Sequence, residues 1–291
     1  MNGWLIYDEE AAKENKSYID WFILEADKQG IRLQLVLREF LTIGIVSKKH
    51  MLLYQNEEIR LPEFVINRTI DLVLLSFMKK NHIICFNSLE VAQICNHKSL
   101  THLEINELNI PMAPTYFYNK HMLPKHPPLP YPFILKEATG RSGKQVFYIE
   151  NENQWDHSIA TLSSSDLLIQ STPVQLGKDV RVFVIGKEII EAVLRVNQTD
   201  FRANYKLGGK AIPYQLSAKD RSMIQKIIDH FDFGLVGIDF LISKDGELLF
   251  NEIEDVVGSR ILSEVSDVNL LEKYIAFIKT TLLERAKTFV G

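Results

Sequence analysis

Two periodicities alternate along the first 86 residues, and that alternation limits the fold more than any other property of the chain. Trp4 to Tyr7, Ile31 to Leu37, Phe64 to Asn67 and Ile83 to Phe86 are apolar runs of strand length. Between them, Lys16 to Gln29 carries Tyr18, Ile19, Phe22, Ile23 and Ala26 at helical spacing and stops at Gly30, and Ile70 to Lys80 repeats the helical pattern. Strands separated by helices need crossover connections, so this part is predicted to form a parallel sheet with helices on its faces.

The pattern then changes. Ser88 to Cys95 and Ser99 to Leu108 read as helices, and the proline-rich stretch from Pro111 to Pro132 reads as a connection. Phe133 to Lys136 and Val146 to Ile149 flank the turn Thr139-Gly140-Arg141-Ser142-Gly143, and a helix from Glu152 and a strand at Leu167 to Gln170 complete a small α+β unit. Strand signals recur at Val180 to Ile185, Ile189 to Arg195, Gly237 to Ile242 and Leu248 to Ile253, with helices at Ala218 to Phe231 and Asn269 to Arg285. The expected organisation is a unit over 1–95, a second over 96–172 and a third over 173–291, a length that favours several compact units sharing interfaces.

A net charge of -4 provides no field that would gather nucleic acid or an anionic membrane, so phosphate binding has to be local. Cys85 and Cys95 are too few for a disulfide framework or a cysteine zinc site. No apolar run reaches transmembrane length, and no signal-peptide pattern is present, which leads to the expectation of a cytoplasmic protein.

Chemistry concentrates in a few places. Lys136 sits inside the apolar strand Phe133-Ile134-Leu135, where a buried ammonium needs an anionic partner. The Gly140 to Gly143 turn lets backbone N–H groups approach a phosphate, but it is not a P-loop, because Ala138 and Gln145 replace the required glycine and Ser/Thr and a strand follows. Glu252 and Glu254 share one face of a strand by period-two alternation, with Asp239 available from the preceding strand. Such an all-oxygen set suits Mg²⁺ bridging to phosphates, although an acidic outer face of a hairpin would have the same spacing. Asp179 and Arg181 alternate with apolar residues, which fits either a site or a salt bridge on a sheet face. Arg195 is a further candidate, and after it the segment from Asp200 to Lys210, with Arg202, Asn204 and a Gly208-Gly209 pair, reads as a polar loop able to close over anionic groups.

Taken in order, Asp-Val-Arg at 179–181, Phe-Arg-x-Asn-x-x-x-Gly-Gly from Phe201, Gly-Ile-Asp at 237–239 and the carboxylate pair on the final strand resemble the RimK-like ATP-grasp ligases from Asn96 to Ile278. The resemblance implies an ATP-grasp fold: an N-terminal parallel α/β domain, a small lid and a C-terminal subdomain with an antiparallel sheet. It implies joining of a carboxylate to an amine through an acyl phosphate, with amino acids, peptides or carrier-bound acyl groups as substrates. A regulatory nucleotide-binding protein with a degenerate site and a small-molecule kinase are the alternatives. By similarity, Lys98, Lys136, Ser142 and Gly143 contact ATP phosphates, Gln170, Ser171 and Thr172 border the adenine, and Asp179 lies near the ribose. Arg181, Arg202 and Asn204 face the reacting groups. Asp239, Glu252 and Glu254 hold Mg²⁺, as two ions, with Mn²⁺ an alternative. Members often form homo-oligomers, and Leu35 to Ile45 offers apolar surface for that. The chain departs from the pattern at Glu254, where the family has asparagine before Pro-Gly, and at Gln170-Ser171-Thr172-Pro173.

Overall fold

The computed structural model describes residues 1–140, 143, 145–203 and 209–288. Ser142 and Asn204, two expected site residues, lie outside that set.

The first part contains β1 (Asn2–Tyr7), α1 (Glu9–Glu14), α2 (Lys16–Lys28), β2 (Arg32–Leu37), β3 (Leu41–Val46), β4 (Lys49–Tyr54), β5 (Glu57–Glu58), β6 (Phe64–Asn67), α3 (Leu72–Lys80) and β7 (Ile84–Phe86). Strands β2-β1-β6-β7 form the expected parallel sheet. The meander β3-β4-β5 was not expected. It turns at Ser47-Lys48 and Gln55-Asn56, all four in the left-handed region (φ 50 to 68°). Two-residue turns of this hand normally announce themselves as Asn-Gly or Asp-Gly, a signal that neither of these two turns carries.

Helices α4 (Leu89–Cys95) and α5 (Lys98–Glu107) lead to a second sheet of β8 (Thr115–Asn119), β9 (Phe133–Glu137), β10 (Val146–Ile149) and β11 (Asp166–Ser171), ordered β10-β9-β11-β8, with α6 (Glu152–Thr161) on one face. Strand β8 corrects the reading of Pro111 to Pro132 as a connection. The prolines cluster on either side of Thr115-Tyr116-Phe117-Tyr118, leaving a β-prone run free to pair with β11.

The third sheet holds β12 (Val174–Ile185), β13 (Glu188–Val196), β14 (Lys210–Pro213), β15 (Leu235–Ser243) and β16 (Leu248–Glu254) in the order β14-β13-β12-β15-β16, all antiparallel. Helix α7 (Ala218–His230) covers the face carrying Val180, Val182, Ile238, Phe240 and Phe250. The other face is divided: Phe183, Ile185 and Leu235 join Leu5, Tyr7 and Phe22 in one core, and the polar end is left to a cleft under the second sheet. After α8 (Arg260–Val265), α9 (Leu270–Thr288) returns to pack on α2, so the two ends of the chain share that core. No helix among the described residues is long and apolar enough to cross a membrane.

Candidate active site

On β9, Phe133 and Leu135 face the core of the second sheet, which turns Ile134 and Lys136 toward the cleft. Lys136 is 4% exposed, and its Nζ donates to Gln170 Oε1 and Asn251 Oδ1, both at 3.1 Å. Burial brings its ammonium down to about 8, with Glu252 opposing the shift and Lys98 adding to it. Lys98, the first residue of α5, donates to Gly140 O at 2.6 Å and pairs with Glu252 Oε2 at 3.1 Å.

From the floor, β16 presents Glu252 and Glu254 opposite Asp239 and Gly237 of β15. A bulge between Asp239 and Phe240 leaves Asn251 as the extra residue on β16. Phe250 and Ile253 therefore both enter the core, and Asn251 and Glu252 both line the cleft. Burial favours the neutral acid at Glu252, but Lys98 and Lys136 outweigh it and hold the carboxyl at about 2.

Arg181 lies opposite Asp239 on β12 and grips it with two bonds, Nε to Oδ1 and Nη2 to Oδ2, each 2.7 Å. Gly237 makes room for this side chain: a Cβ there would stand 3.3 Å from Arg181 Cδ and Nε and 2.9 Å from Val257 Cγ2. Arg195 forms a similar fork to Asp179, at 2.5 and 2.7 Å, and also reaches Asp239 Oδ2 at 2.7 Å. Arg195 stands on β13, within the strand expected over Ile189 to Arg195, directly across from Asp179. The Asp179–Arg181 pairing on a sheet face is replaced by Asp179–Arg195 and Asp239–Arg181, both buried. Alternation on the two strands was the available signal for Arg195. Asn251 had none beyond a slip in the apolar phase.

The three expected metal ligands thus share a face with cations between them. Asp239 accepts three bonds from the two arginines, which leaves about one of its roughly four lone-pair positions. Glu254 Oε2 is buried and lies 2.5 Å from Arg181 Nη1 as an ion pair. Among the described residues no group of three His, Cys, Asp or Glu side chains stands ready to hold an ion. The donors are all oxygen, as a hard divalent cation requires, and the Glu254 oxygen now paired with Arg181 fits such an ion once Arg181 is drawn elsewhere.

The second sheet rests on this floor. Arg202 forks onto Asp200 and donates from Nη1 to Gly143 O at 2.6 Å, tying the turn down. The cleft between has about 120 Å³ of free volume and is lined by Lys98, Lys136, Gln170 to Thr172, Asp179, Arg202 and Glu252, among others. Gln170 is buried and bonds to Thr115 Oγ1, Ser171 Oγ is buried without a partner among the described residues, and the Thr172 hydroxyl donates to Pro132 O.

Residues 93–278 match the RimK-like ATP-grasp domain family. The chain is similar to N-acetylaspartylglutamate synthase A of Homo sapiens, 27% identical over 79% of this chain and 63% of that protein. It is also similar to the alpha-aminoadipate–LysW ligase LysX of Saccharolobus solfataricus, 28% identical over 64% of this chain and 72% of that one. The chain therefore spans less than two thirds of the human relative's length. Among solved structures, the ATP-grasp ligase PsnB, in a complex with a precursor variant, Mg and ADP, superposes with a TM-score of 0.70 over 96% of this chain and 98% of its own, at 13% identity, a likeness of fold. With 186 of its residues, 93–278, in that match and its fold shared with those ligases, the chain belongs to the RimK-like ATP-grasp family.

Proposed function

We propose that the chain is an ATP-dependent carboxylate–amine ligase acting on amino-acid or peptide-type substrates, carrier-bound ones included. The observation that carries this reading is the cleft itself. Lys98, Lys136 and Arg202 line it together with Glu252, and Arg181 stands on the floor sheet bonded to Asp239 and Glu254. Four cations beside three carboxylates can accept both the polyanion of a nucleotide and a metal ion, whereas a plain acidic hairpin face would carry no such cations.

Lys98 and Lys136 are placed to hold phosphates, and an arriving nucleotide competes for the ammonium groups now spent on Gly140 O, Gln170 and Asn251. The unpartnered Ser171 hydroxyl and the Gln170 to Thr172 edge are read as the base-binding wall. Glu252 and Glu254, with the remaining position on Asp239, would hold Mg²⁺. When bound, the ion would supply positive charge to offset that of the phosphates. A substrate carboxylate oxygen then attacks the γ-phosphorus, ADP leaves, and an amine attacks the resulting acyl phosphate and expels phosphate. Arg181 and Arg202 stabilise the negative charge of both steps, while the lid contact of Arg202 to Gly143 O excludes water. The 120 Å³ cleft is below the ~300 Å³ typical of a small-molecule site, so the Arg202–Gly143 and Lys98–Gly140 contacts have to open for nucleotide to enter.

ADP release with Mg²⁺ and ATP should stay low with either substrate alone and rise with one pair from a panel of amino acids, dicarboxylates and amines. Glu252→Ala should abolish the rise, with a loss on the order of a hundredfold or more. ATP binding without a response to any pair would contradict the proposal.

A further inference from the structure

Glu254 ends β16, and its pairing with Gly237 is the last register contact between β16 and β15. The chain then turns, so the sheet does not fix the backbone on the far side of this carboxylate. The next residue does. Asp255 is 7% exposed, and its two carboxylate oxygens accept from two different parts of the molecule. Oδ1 accepts from Asn87 Nδ2 at 2.5 Å, and Oδ2 accepts from Asn96 Nδ2 at 2.9 Å. Asn87 follows β7 of the first sheet, and Asn96 closes α4, two residues before Lys98.

Asn87 holds more than Asp255. Its Nδ2 also lies 3.1 Å from Asp255 O and 3.0 Å from Leu235 O, and its Oδ1 accepts from the backbone N–H of Gly234. Gly234 and Leu235 lead into β15, the strand that carries Asp239. A Cβ on Gly234 would stand 2.8 Å from Asn87 Oδ1, so glycine is what admits this amide. One buried side chain thus ties the entry of β15 to the exit of β16, the two strands that carry Asp239, Glu252 and Glu254. The next hold on the departing segment, Arg68 Nη2 on Val257 O, comes two residues later. Glu254 itself cannot anchor this end. Its side chain has to exchange Arg181 for an ion, and a carboxylate that changes partners needs a backbone that stays in place.

We propose that Asp255 is a positioning residue: gripped by Asn87 and Asn96, it sets Glu254 for the metal ion. The role rests on the ion site of the ligase reading, and it adds supports that reach that site from two other parts of the fold. Groups that orient a metal ligand commonly contribute roughly ten- to a hundredfold in metal affinity.

The test is titration with Mn²⁺, followed by electron paramagnetic resonance with ADP present. The proteins are the wild type, Asp255→Asn, Asn96→Asp, the double variant Asn96→Asp/Asp255→Asn, and Glu252→Ala. Asp255→Asn replaces one accepting oxygen by a donor and should weaken Mn²⁺ about tenfold or more. Asn96→Asp alone sets two carboxylates against each other and should also weaken it. The double variant restores the bond with its direction reversed and should bind Mn²⁺ more tightly than either single variant. Metal-free ADP, followed by calorimetry, should bind Asp255→Asn within about twofold of the wild type, because Lys98 and Lys136 stand on other elements. A merely structural Asp255 would lower the urea midpoint and leave the Mn²⁺ affinity of the folded protein unchanged. Unchanged Mn²⁺ affinity in Asp255→Asn, no gain in the double variant, or an equal loss of metal-free ADP would overturn the role. Wild-type Mn²⁺ binding that Glu252→Ala removes would in those cases leave the ion site standing. Absence of Mn²⁺ binding to the wild type would defeat the ion site and this role with it. If Asp255→Asn does not fold, Asn96→Ala, which removes one of the two grips, takes its place, and an unchanged Mn²⁺ affinity there overturns the role.

Discussion

Burial alone would favour a protonated Glu252, yet Lys98 and Lys136 hold its carboxyl at about 2, while the same burial brings Lys136 down to about 8. The two groups meet the cleft as opposite charges at neutral pH, which is the state a metal and a phosphate need. His102, one turn beyond Lys98, behaves differently. It is 1% exposed, its Nδ1 bonds to Lys98 O at 2.8 Å, and burial, reinforced by Lys136, brings its imidazole down to about 3. The unfolded chain therefore binds a proton near pH 6.5 that the folded chain refuses until about pH 3. Stability from this group is complete above pH 6.5 and declines as pH falls, by about 1.4 kcal/mol per pH unit. Urea midpoints measured from pH 7 to 4.5 should fall more steeply in the wild type than in His102→Phe; parallel curves would contradict this. Lys136 and the two glutamates were legible in the sequence because a charge inside an apolar strand needs a partner. His102 was not, since nothing in a helical His-Leu-Glu stretch reveals which face the core covers.

Strand β16 shows where reading by element succeeds and where it slips. Strict alternation would put Glu252 on the side of Leu248 and Phe250, inside the core. The bulge at Asn251 reverses the phase, so Glu252 and Glu254 do share a face, but with Asn251 added and Phe250 excluded. The sequence sign is the apolar run Leu248-Leu249-Phe250 followed by Ile253, a shift that pattern counting passes over. Alternation on β12 and β13 put Asp179 and Arg195 within reach, yet register, which decides the pairing, is a tertiary property. Arg195 now holds Asp179 and Asp239 together at 4% exposure. Replacing it by Met should destabilise the protein by about 3 kcal/mol or more, because two buried carboxylates lose a partner. Chemical denaturation checks this, and a loss under 1 kcal/mol would mean that Arg181 alone compensates.

At the scale of the whole molecule, the parallel sheet, the lid and the antiparallel sheet followed from periodicity. The family followed from the order of short motifs, each too weak to stand alone. What no local pattern announced is how the pieces join: α9 packs back on α2, and Tyr274, Phe183 and Phe22 occupy one core. That joint places Arg68 of the first sheet against the segment that leaves the last strand, beside the cleft. The meander from Leu41 to Glu58 escaped notice because its turns use Ser-Lys and Gln-Asn.

The central claim is that a substrate carboxylate takes the γ-phosphoryl group before the amine arrives. It is tested by labelling both carboxylate oxygens of the active substrate with ¹⁸O and analysing the released phosphate by mass spectrometry. The account predicts one labelled oxygen in each phosphate, matched by one lost from the carboxyl carbon of the amide product. Unlabelled phosphate, with both labels retained on the carboxyl carbon, would show phosphoryl transfer to another acceptor or to water and would contradict it.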